Sequence, residues 1–252
     1  MKISEAFVLL AAGTAGGIFS TVVAIASLVS YPVLLALGVP PLAANMTNTV
    51  ALAFTGAGSV AGSRPELAGQ GRRVLRLGLI TAAGGGTGAA ILLLTPAGTF
   101  TVIVPVLIGG ASAVLLVQPR LRQLSPPAEP GGRRRLVMGA ALFTVAIYVG
   151  YFGAAAGVLL LVVLSAMISE PMIRVNAIKN AVSGMANTVA AVCFAIFGDV
   201  RWEMVVPLAA GFLIGGWTGP KIARRVPAEA FRVLVSLGGF ALAVKLGLDV
   251  YH

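Results

Sequence analysis

The chain has 252 residues, of which 58% are hydrophobic and only 10% are charged, and its mean hydropathy is +0.98. These values exclude a soluble globular domain and are typical of a membrane protein with several spans. The net charge of +10 would suggest nucleic-acid binding in a soluble protein. Here the arginines lie between apolar segments, as in the cytoplasmic loops of membrane proteins, so no nucleic-acid partner is predicted.

The first apolar block runs from Ala6 to Leu37. As one helix it would measure about 48 Å, well beyond a hydrocarbon core of about 30 Å. We expect it to break near Ala24 to Pro32, where small and hydroxyl residues precede a proline that cannot donate a helical hydrogen bond. Three ordinary spans follow, with a basic loop at 63–76 after the first of them: residues 42–61, 77–94 and 100–117.

A polar segment at 118–135 divides the chain, because its prolines, paired glycines and arginines oppose regular packing. This predicts a first transmembrane repeat at 1–117, a cytoplasmic basic linker at 118–135 and a second transmembrane repeat at 136–252. The second repeat has the same plan as the first. It has a long block from Leu136 to Ile168 and then spans at 173–197, 204–219 and 231–248.

The two repeats also align by sequence. Asn48 in NMTNTV matches Asn180 in NAIKNAV, an offset of 180 − 48 = 132, which is near half the chain. Weak internal symmetry of this kind is typical of duplicated transporter folds.

Basic loops predict the orientation of the repeats. Short loops rich in Lys and Arg stay in the cytoplasm, so 63–76, 118–135 and 221–232 belong on one side. Three single crossings between the last two would separate them. The conflict disappears if each long block folds back as a hairpin of two shortened helices. The predicted fold is an all-α polytopic membrane protein of two inverted repeats, each a broken or hairpin first helix plus three transmembrane helices, with both termini outside.

Polar residues inside the apolar segments are the candidate site, because in lipid they are costly unless they face a cavity or a partner. Helix N-termini at the two hairpin breaks would attract an anion, which Asn and Ser side chains can bind without adding titratable charge. Lys179 would supply a cation. The candidates are Ser27, Ser30, Tyr31, Tyr148, Tyr151, Gly153 and Gly157 from the hairpins, and Asn45, Thr47, Asn48, Asn176, Lys179 and Asn180 from the helices that follow. Ser183 and Asn187 continue the polar cluster that contains Asn176, Lys179 and Asn180.

The same residues have structural interpretations, which the sequence leaves open. Asparagines in membrane helices often serve as interhelical hydrogen bonds. Lys179 could extend to the cytoplasmic interface, and Ser27 and Ser30 could satisfy broken backbone. The glycines at 84–88 favour helix packing over a phosphate loop, because no strand precedes them and no lysine follows.

The sequence lacks the residues that several functional classes require. No Asp or Glu lies deep within an apolar block, so a carboxylate relay of the kind used by proton-coupled pumps is missing. Walker, HExxH and Ser-His-Asp patterns are absent from the sequence. Cys193 is the only cysteine and His252 the only histidine, which excludes an internal disulfide and a Cys/His metal site. We predict neither an enzyme nor a bound cofactor or metal.

Four segments of the second half are distinctive: GYFGAAAGVLLL (150–161), RVNAIKN (174–180), FAIFGDVRW (194–202) and GFLIGGWTG (211–219). They resemble the second-half motifs of the sulfite exporter TauE/SafE family of bacterial permeases. In the first half, PVLLALGVPPLAANMTN (32–48) resembles the pattern P-x-L-x-x-x-G-x-P-P…A…T-N. The family's G-x-G-G-G stretch before the first-half proline is replaced here by AIASLVSY (24–31), which points to altered anion contacts in the first hairpin.

The resemblance implies transport of sulfite or of small organosulfur or carboxylate anions across the inner membrane. We expect a secondary transporter, an exporter, that works by alternating access at a mid-membrane site between the repeats. A sulfonate uptake permease coupled to an ion gradient and a non-transporting membrane scaffold are the alternatives. The expected partners are a small anion and the lipid bilayer; the oligomeric state stays open, a homo-oligomer included.

Overall fold

The computed structural model describes residues 2–123, 132–224, 237 and 240–248. Within these ranges the backbone forms α-helices joined by short turns and contains no β-strand, which confirms the all-α prediction. The helices are α1 (Ile3–Val23), α2 (Ala26–Ala36), α3 (Pro41–Gly62), α4 (Arg64–Leu67), α5 (Gly71–Leu94), α6 (Ala97–Gln123), α7 (Gly132–Tyr151), α8 (Ala156–Met167), α9 (Met172–Phe197) and α10 (Trp202–Ala223), and residues 240–248 are also helical.

The exterior of the protein differs from that of a soluble protein. Large apolar side chains face outward, with Leu94 84% and Phe197 75% exposed, whereas the polar Asn45 and Asn48 are each 1% exposed within a largely apolar core. An apolar exterior that encloses buried polar side chains suits a lipid environment. Four helices of the described residues are long and apolar enough to cross a membrane: Ile3–Val23, Gly71–Leu94, Ala97–Val114 and Met172–Phe197. The prediction of a polytopic membrane protein is confirmed.

The first apolar block breaks at Ala24 and Ile25, at the start of the interval that the sequence predicts. Ala24 has φ +65°, a left-handed conformation that is uncommon outside glycine. The chain turns back here, since a Cβ added at Gly16 would lie 3.4 Å from the Ala26 carbonyl oxygen. Pro32 lies inside α2 and not at the break.

The second block breaks in the same way. α7 ends at Tyr151 and α8 begins at Ala156, with φ +72° at Gly153 and +52° at Ala155 between them. The arms are unequal: α1 has 21 residues and α7 has 20, against 11 in α2 and 12 in α8. At about 1.5 Å per residue α1 is long enough to span the hydrocarbon core. The prediction of two shortened arms is therefore wrong for the first arm, because each break comes late in its block.

The two halves correspond at an offset of 131 residues. Pro40 and Pro171 precede α3 and α9 with nearly the same backbone angles, and 171 − 40 = 131. The left-handed residues Ala24 and Ala155 give the same value, 155 − 24 = 131. The predicted match of Asn48 with Asn180 is thus wrong by one residue, because the start of a helix, and not a shared letter, fixes where each side chain projects. Asn45 corresponds to Asn176, and Asn48 to Lys179.

The corresponding helices α3 and α9 cross each other at two glycines. A Cβ added at Gly56 would lie 2.7 Å from the Gly184 Cα, so only glycine permits this separation. Towards the start of α3, Met46 lies beside Gly198 at the end of α9. The two helices therefore run in opposite directions. On either side of this crossing, α1 packs against α10 and α5 packs against α7.

The glycines at 84–88 lie in helix interfaces, as the packing interpretation predicts. A Cβ added at Gly84 would lie 2.6 Å from the Ala146 Cβ of α7, and one at Gly85 would lie 2.9 Å from the Ala186 Cα of α9. Small residues let membrane helices approach closely, so α5 joins α7 and α9 through its glycines.

The polar segments are more helical than predicted. Within 63–76, α4 occupies Arg64–Leu67 and α5 already begins at Gly71, so three of the arginines lie on the first turns of a helix. Of the linker at 118–135, α6 extends to Gln123 and α7 begins at Gly132. Residues 124–131, most of the basic loop at 221–232, residues 231–236, 238 and 239 of the final span at 231–248, and His252 lie outside the described residues.

Two ion-pair groups join the halves near the basic segments. Glu170 accepts from Arg174 at 2.9 Å and from Arg73 of the other half at 3.2 Å. Glu66 pairs with Arg224 at 2.7 Å, again across the halves. The hydrogen bonds from Arg174 and Arg73 hold the pKa of the Glu170 carboxyl below its usual range.

Glu170→Gln is expected to lower the thermal stability slightly near neutral pH. Because the folded-state pKa of Glu170 is below its ordinary value of 4.5, the stability that this carboxylate contributes is present above that pH and is lost as the pH falls through the folded-state value. The melting temperatures of the wild type and the variant in detergent should therefore converge as the pH falls below 4.5. A difference that does not change with pH would contradict this assignment.

Candidate functional site

The two helix breaks meet in the interior of the protein. A Cβ added at Gly157, at the start of α8, would lie 2.7 Å from the Ala24 Cβ at the first break. The short helices α2 and α8 both begin here, and neither has a side-chain hydrogen bond at its N-cap. Local backbone bonds satisfy part of each first turn: Leu28 donates to Ile25, and Ala156 and Val158 donate to Gly153 and Ala155. The other first-turn N–H groups have no partner within the helix, and the helix start carries partial positive charge. Two helix N-termini therefore lie side by side at the breaks.

A cavity of about 40 Å³ lies between these helix starts and the crossing of α3 and α9. It draws residues from both halves. Its lining comprises Ser20, Ala24, Ala26, Ser27, Leu52, Thr55, Gly56, Ser59, Val149, Gly153, Ala156, Gly157, Lys179, Asn180, Ser183, Gly184 and Asn187.

Several polar groups of the lining are not used by the fold. Asn180 and Asn187 are each 7% exposed, and neither side chain has a hydrogen bond among the described residues. The Thr55 hydroxyl is fully buried and likewise lacks a partner within the described part of the chain. Buried polar groups are normally hydrogen-bonded, so unpaired ones around a cavity indicate a site for a polar ligand.

Lys179 is the charged side chain of this lining, and it is 2% exposed. Its Nζ donates to the Ser20 carbonyl oxygen at 3.1 Å, near the end of α1. The side chain does not extend to the interface, as the alternative interpretation would require. In the described ranges no carboxylate pairs with it.

Two predicted site residues support the broken helices instead of lining the cavity. Asn45 Nδ2 donates to the Tyr151 carbonyl oxygen at 2.9 Å, and Asn176 Nδ2 donates to the Thr21 carbonyl oxygen at 2.7 Å. Each amide thus binds a C-terminal carbonyl of the long arm of the opposite half, which the helix itself leaves unpaired. The two donors correspond at the 131-residue offset, since 176 − 45 = 131, and the two acceptors differ from it by one residue, since 151 − 21 = 130.

Asn176→Leu is expected to lower thermal stability with little direct effect on ligand contacts. It leaves the Thr21 carbonyl without its side-chain donor at a partly buried site, which costs about 1 kcal/mol or more. Thr188→Val on the same helix is the control, because the Thr188 hydroxyl donates only within its own helix, to Gly184. Equal melting temperatures in detergent for Asn176→Leu and the control would argue against this support.

The other predicted candidates that do not line the cavity make contacts within the fold. Ser30 Oγ donates to Asn48 Oδ1 at 2.6 Å, and Asn48 Nδ2 donates to the cavity residue Ser27 at 3.3 Å. Thr47 is remote, since its Oγ1 accepts from the Arg201 backbone N–H at the start of α10 at 3.0 Å. The three tyrosines also make contacts within the fold. The rings of Tyr31 and Tyr151 pack edge-on against Phe152 and Phe100, the first pair with ring centroids 5.6 Å apart. The Tyr148 hydroxyl donates to the Ala154 carbonyl.

Of the predicted residues, the structure thus brings Ser27, Gly153, Gly157, Lys179 and Asn180 to the cavity. Ser183 and Asn187, which belong to the predicted polar cluster of the second half, line the cavity as well. Ser20, Thr55 and Ser59 also line it and were not predicted from the sequence. A signal for two of these was available, because a helix face repeats every three or four residues and leads along α3 from Asn48 to Thr55 and Ser59.

The donors of the cavity suit an anion better than a metal ion. Hydroxyl and amide groups, helix N-termini and an ammonium group all stabilise negative charge. Within the described residues no group of three or more His, Cys, Asp or Glu side chains could hold a metal.

The family model described as Sulfite exporter TauE/SafE matches residues 9–246. The chain is also 24% identical over 254 residues to "Probable membrane transporter protein ORF9" of Sinorhizobium sp, an alignment that covers 98% of this chain and 94% of that protein. No solved structure matches the chain. Because the family model spans nearly the whole sequence and agrees with the helical membrane fold, the chain belongs to the TauE/SafE sulfite exporter family of membrane transporters.

Proposed function

We propose that this transporter carries small oxyanions, of which sulfite is the model substrate, and binds them in the cavity between the two helix breaks. The observation that carries the proposal is that two helix N-termini without side-chain caps lie beside the unpaired side chains of Asn180, Asn187 and Thr55. Hydrogen bonds to a charged group are worth about 1.5–3 kcal/mol each, enough to replace part of the hydration that an anion loses.

The size of the cavity favours a compact anion. A water molecule needs about 10–15 Å³ of such volume, so 40 Å³ corresponds to about three waters. Sulfite is of that size. A larger organic sulfonate or carboxylate would require the helices around Gly56 and Gly184 to separate.

The mechanism proposed is alternating access between two inverted repeats, 1–117 and 136–252, joined by a cytoplasmic linker at 118–135. Its support is the pattern of packing: the corresponding helices α3 and α9 run antiparallel, and the contact of α1 with α10 is matched by that of α7 with α5. With the basic segments in the cytoplasm, this arrangement puts both termini outside.

Outward transport needs no coupled ion in this proposal. With a negative cell interior, expelling a monovalent anion gains about 2.3 kcal/mol per 100 mV. The absence of Asp and Glu deep within the apolar segments agrees with this, because carboxylates commonly carry coupled protons.

The test is flux in proteoliposomes that contain the purified protein. We expect saturable sulfite flux driven by membrane potential alone, competition by other compact oxyanions, and weaker competition by larger sulfonates. A flux that requires a sodium or pH gradient would favour the coupled uptake permease. No flux with any anion of the panel, from protein that remains folded, would reject the proposal and favour the membrane scaffold.

A further inference from the structure

The ammonium group of Lys179 lies where a broken helix ends. Its Nζ is 3.1 Å from the Ser20 carbonyl oxygen, and Asn176 occupies the neighbouring Thr21 carbonyl. The Ser20 carbonyl also accepts from the Ala24 backbone N–H at 3.1 Å, so the ammonium group is its second donor. Carbonyls at the C-terminal end of a helix carry partial negative charge, so a cation is stabilised there. In transporters with broken helices, such C-terminal carbonyls often coordinate a sodium ion.

The same ammonium group is also available to the cavity. An ammonium has three donors, and within the described residues one of those of Lys179 is used. The residue lines the cavity beside Asn180 and has no carboxylate partner in the described ranges. A buried charge is costly unless an opposite charge accompanies it, so the geometry calls for an anion from outside the chain.

We propose that Lys179 is a tethered cation that occupies the position of an inorganic coupling ion. The C-terminus of α1 holds the ammonium group, and the bound anion neutralises it. This inference rests on the proposed anion transport and adds to it the charge of the loaded site.

The two halves contribute unequally to this charge. At the 131-residue offset the position of Lys179 corresponds to Asn48, which is neutral and is engaged by Ser30 and Ser27. The cavity therefore has a single cation, the Lys179 ammonium group, among its described lining residues. When a singly charged anion binds, the net charge of the loaded site becomes zero. The loaded transporter then changes conformation without moving net charge, and the return of the empty transporter is the step that senses voltage.

The first experiment compares two kinds of flux by the wild-type protein in proteoliposomes. Exchange of labelled for unlabelled sulfite uses only loaded transporters, and we expect its rate to be unchanged by an imposed potassium diffusion potential. Net sulfite flux should respond to that potential. If exchange varies with potential as strongly as net flux does, the inference is overturned while the proposed anion transport stands. If neither flux is detected, the proposed function itself fails.

The second experiment removes the tether. Lys179→Ala should lower net sulfite flux at least about tenfold, because a hydrogen bond to a charged group is lost. Methylammonium added to both sides should restore a measurable part of this flux, since a small cation can enter the vacated space beside the Ser20 carbonyl. Lys179→Met fills that space and should not be rescued. Wild-type flux in Lys179→Ala without methylammonium, or a folded Lys179→Ala that no small ammonium ion rescues, would overturn the inference.

Discussion

Asn180→Leu is expected to lower sulfite flux by about ten- to a hundredfold while the protein stays folded. The Asn180 amide lines the cavity and makes no hydrogen bond to the described residues, so the fold does not depend on it. An anion in the cavity would use it, and losing one hydrogen bond to a charged group costs about 1.5–3 kcal/mol, which corresponds to this range. Leucine has the same branched skeleton of four side-chain heavy atoms and removes only the polar groups, so the loss does not come from an enlarged cavity.

The measurement is initial flux in proteoliposomes at several sulfite concentrations, normalised to the amount of folded protein. Thr188→Val, on the same helix but outside the cavity lining, is the matched control and should retain wild-type flux. If Asn180→Leu and Thr188→Val transport equally well, the anion does not bind at this cavity.

Gly56→Leu is expected to have the largest effect on stability. Even a Cβ at this position would lie 2.7 Å from the Gly184 Cα, and leucine would force α3 and α9 apart at their crossing. Overpacking of this kind typically costs about 1–3 kcal/mol, and more where backbone faces backbone as here. Asn45 of α3 and Asn176 of α9 bond the ends of α7 and α1, so moving α3 away from α9 should strain these hydrogen bonds as well.

The measurement is the melting temperature in detergent, together with the yield of monodisperse protein. Gly110→Leu is the control, because nothing lies within 4 Å of a Cβ added at that glycine of α6. Gly56→Ala should lie between the wild type and Gly56→Leu. Similar melting temperatures for Gly56→Leu and Gly110→Leu would mean that the two helices do not pack this closely.

The sequence was sufficient for the helical membrane fold and for the position of its breaks. The blocks from Ala6 to Leu37 and from Leu136 to Ile168 are each too long for one crossing. Small residues around Ala24 in the first block and around Gly153 in the second mark where the helix can break. It was also sufficient to select Ser27, Lys179 and Asn180, because polar groups inside apolar segments must face either a partner or a cavity.

Only the tertiary structure decided whether each polar group faces a hydrogen-bond partner or the cavity. Asn45 and Asn176 look like Asn180 in the sequence, yet they bind carbonyls more than a hundred residues away, at Tyr151 and Thr21. The register of 131 residues follows from the prolines that start α3 and α9 and not from matching letters. Hydropathy predicts which segments are buried in the membrane. The hydrogen-bond partner of a side chain depends on atoms that come together only when both halves pack, so a local sequence pattern does not predict that partner.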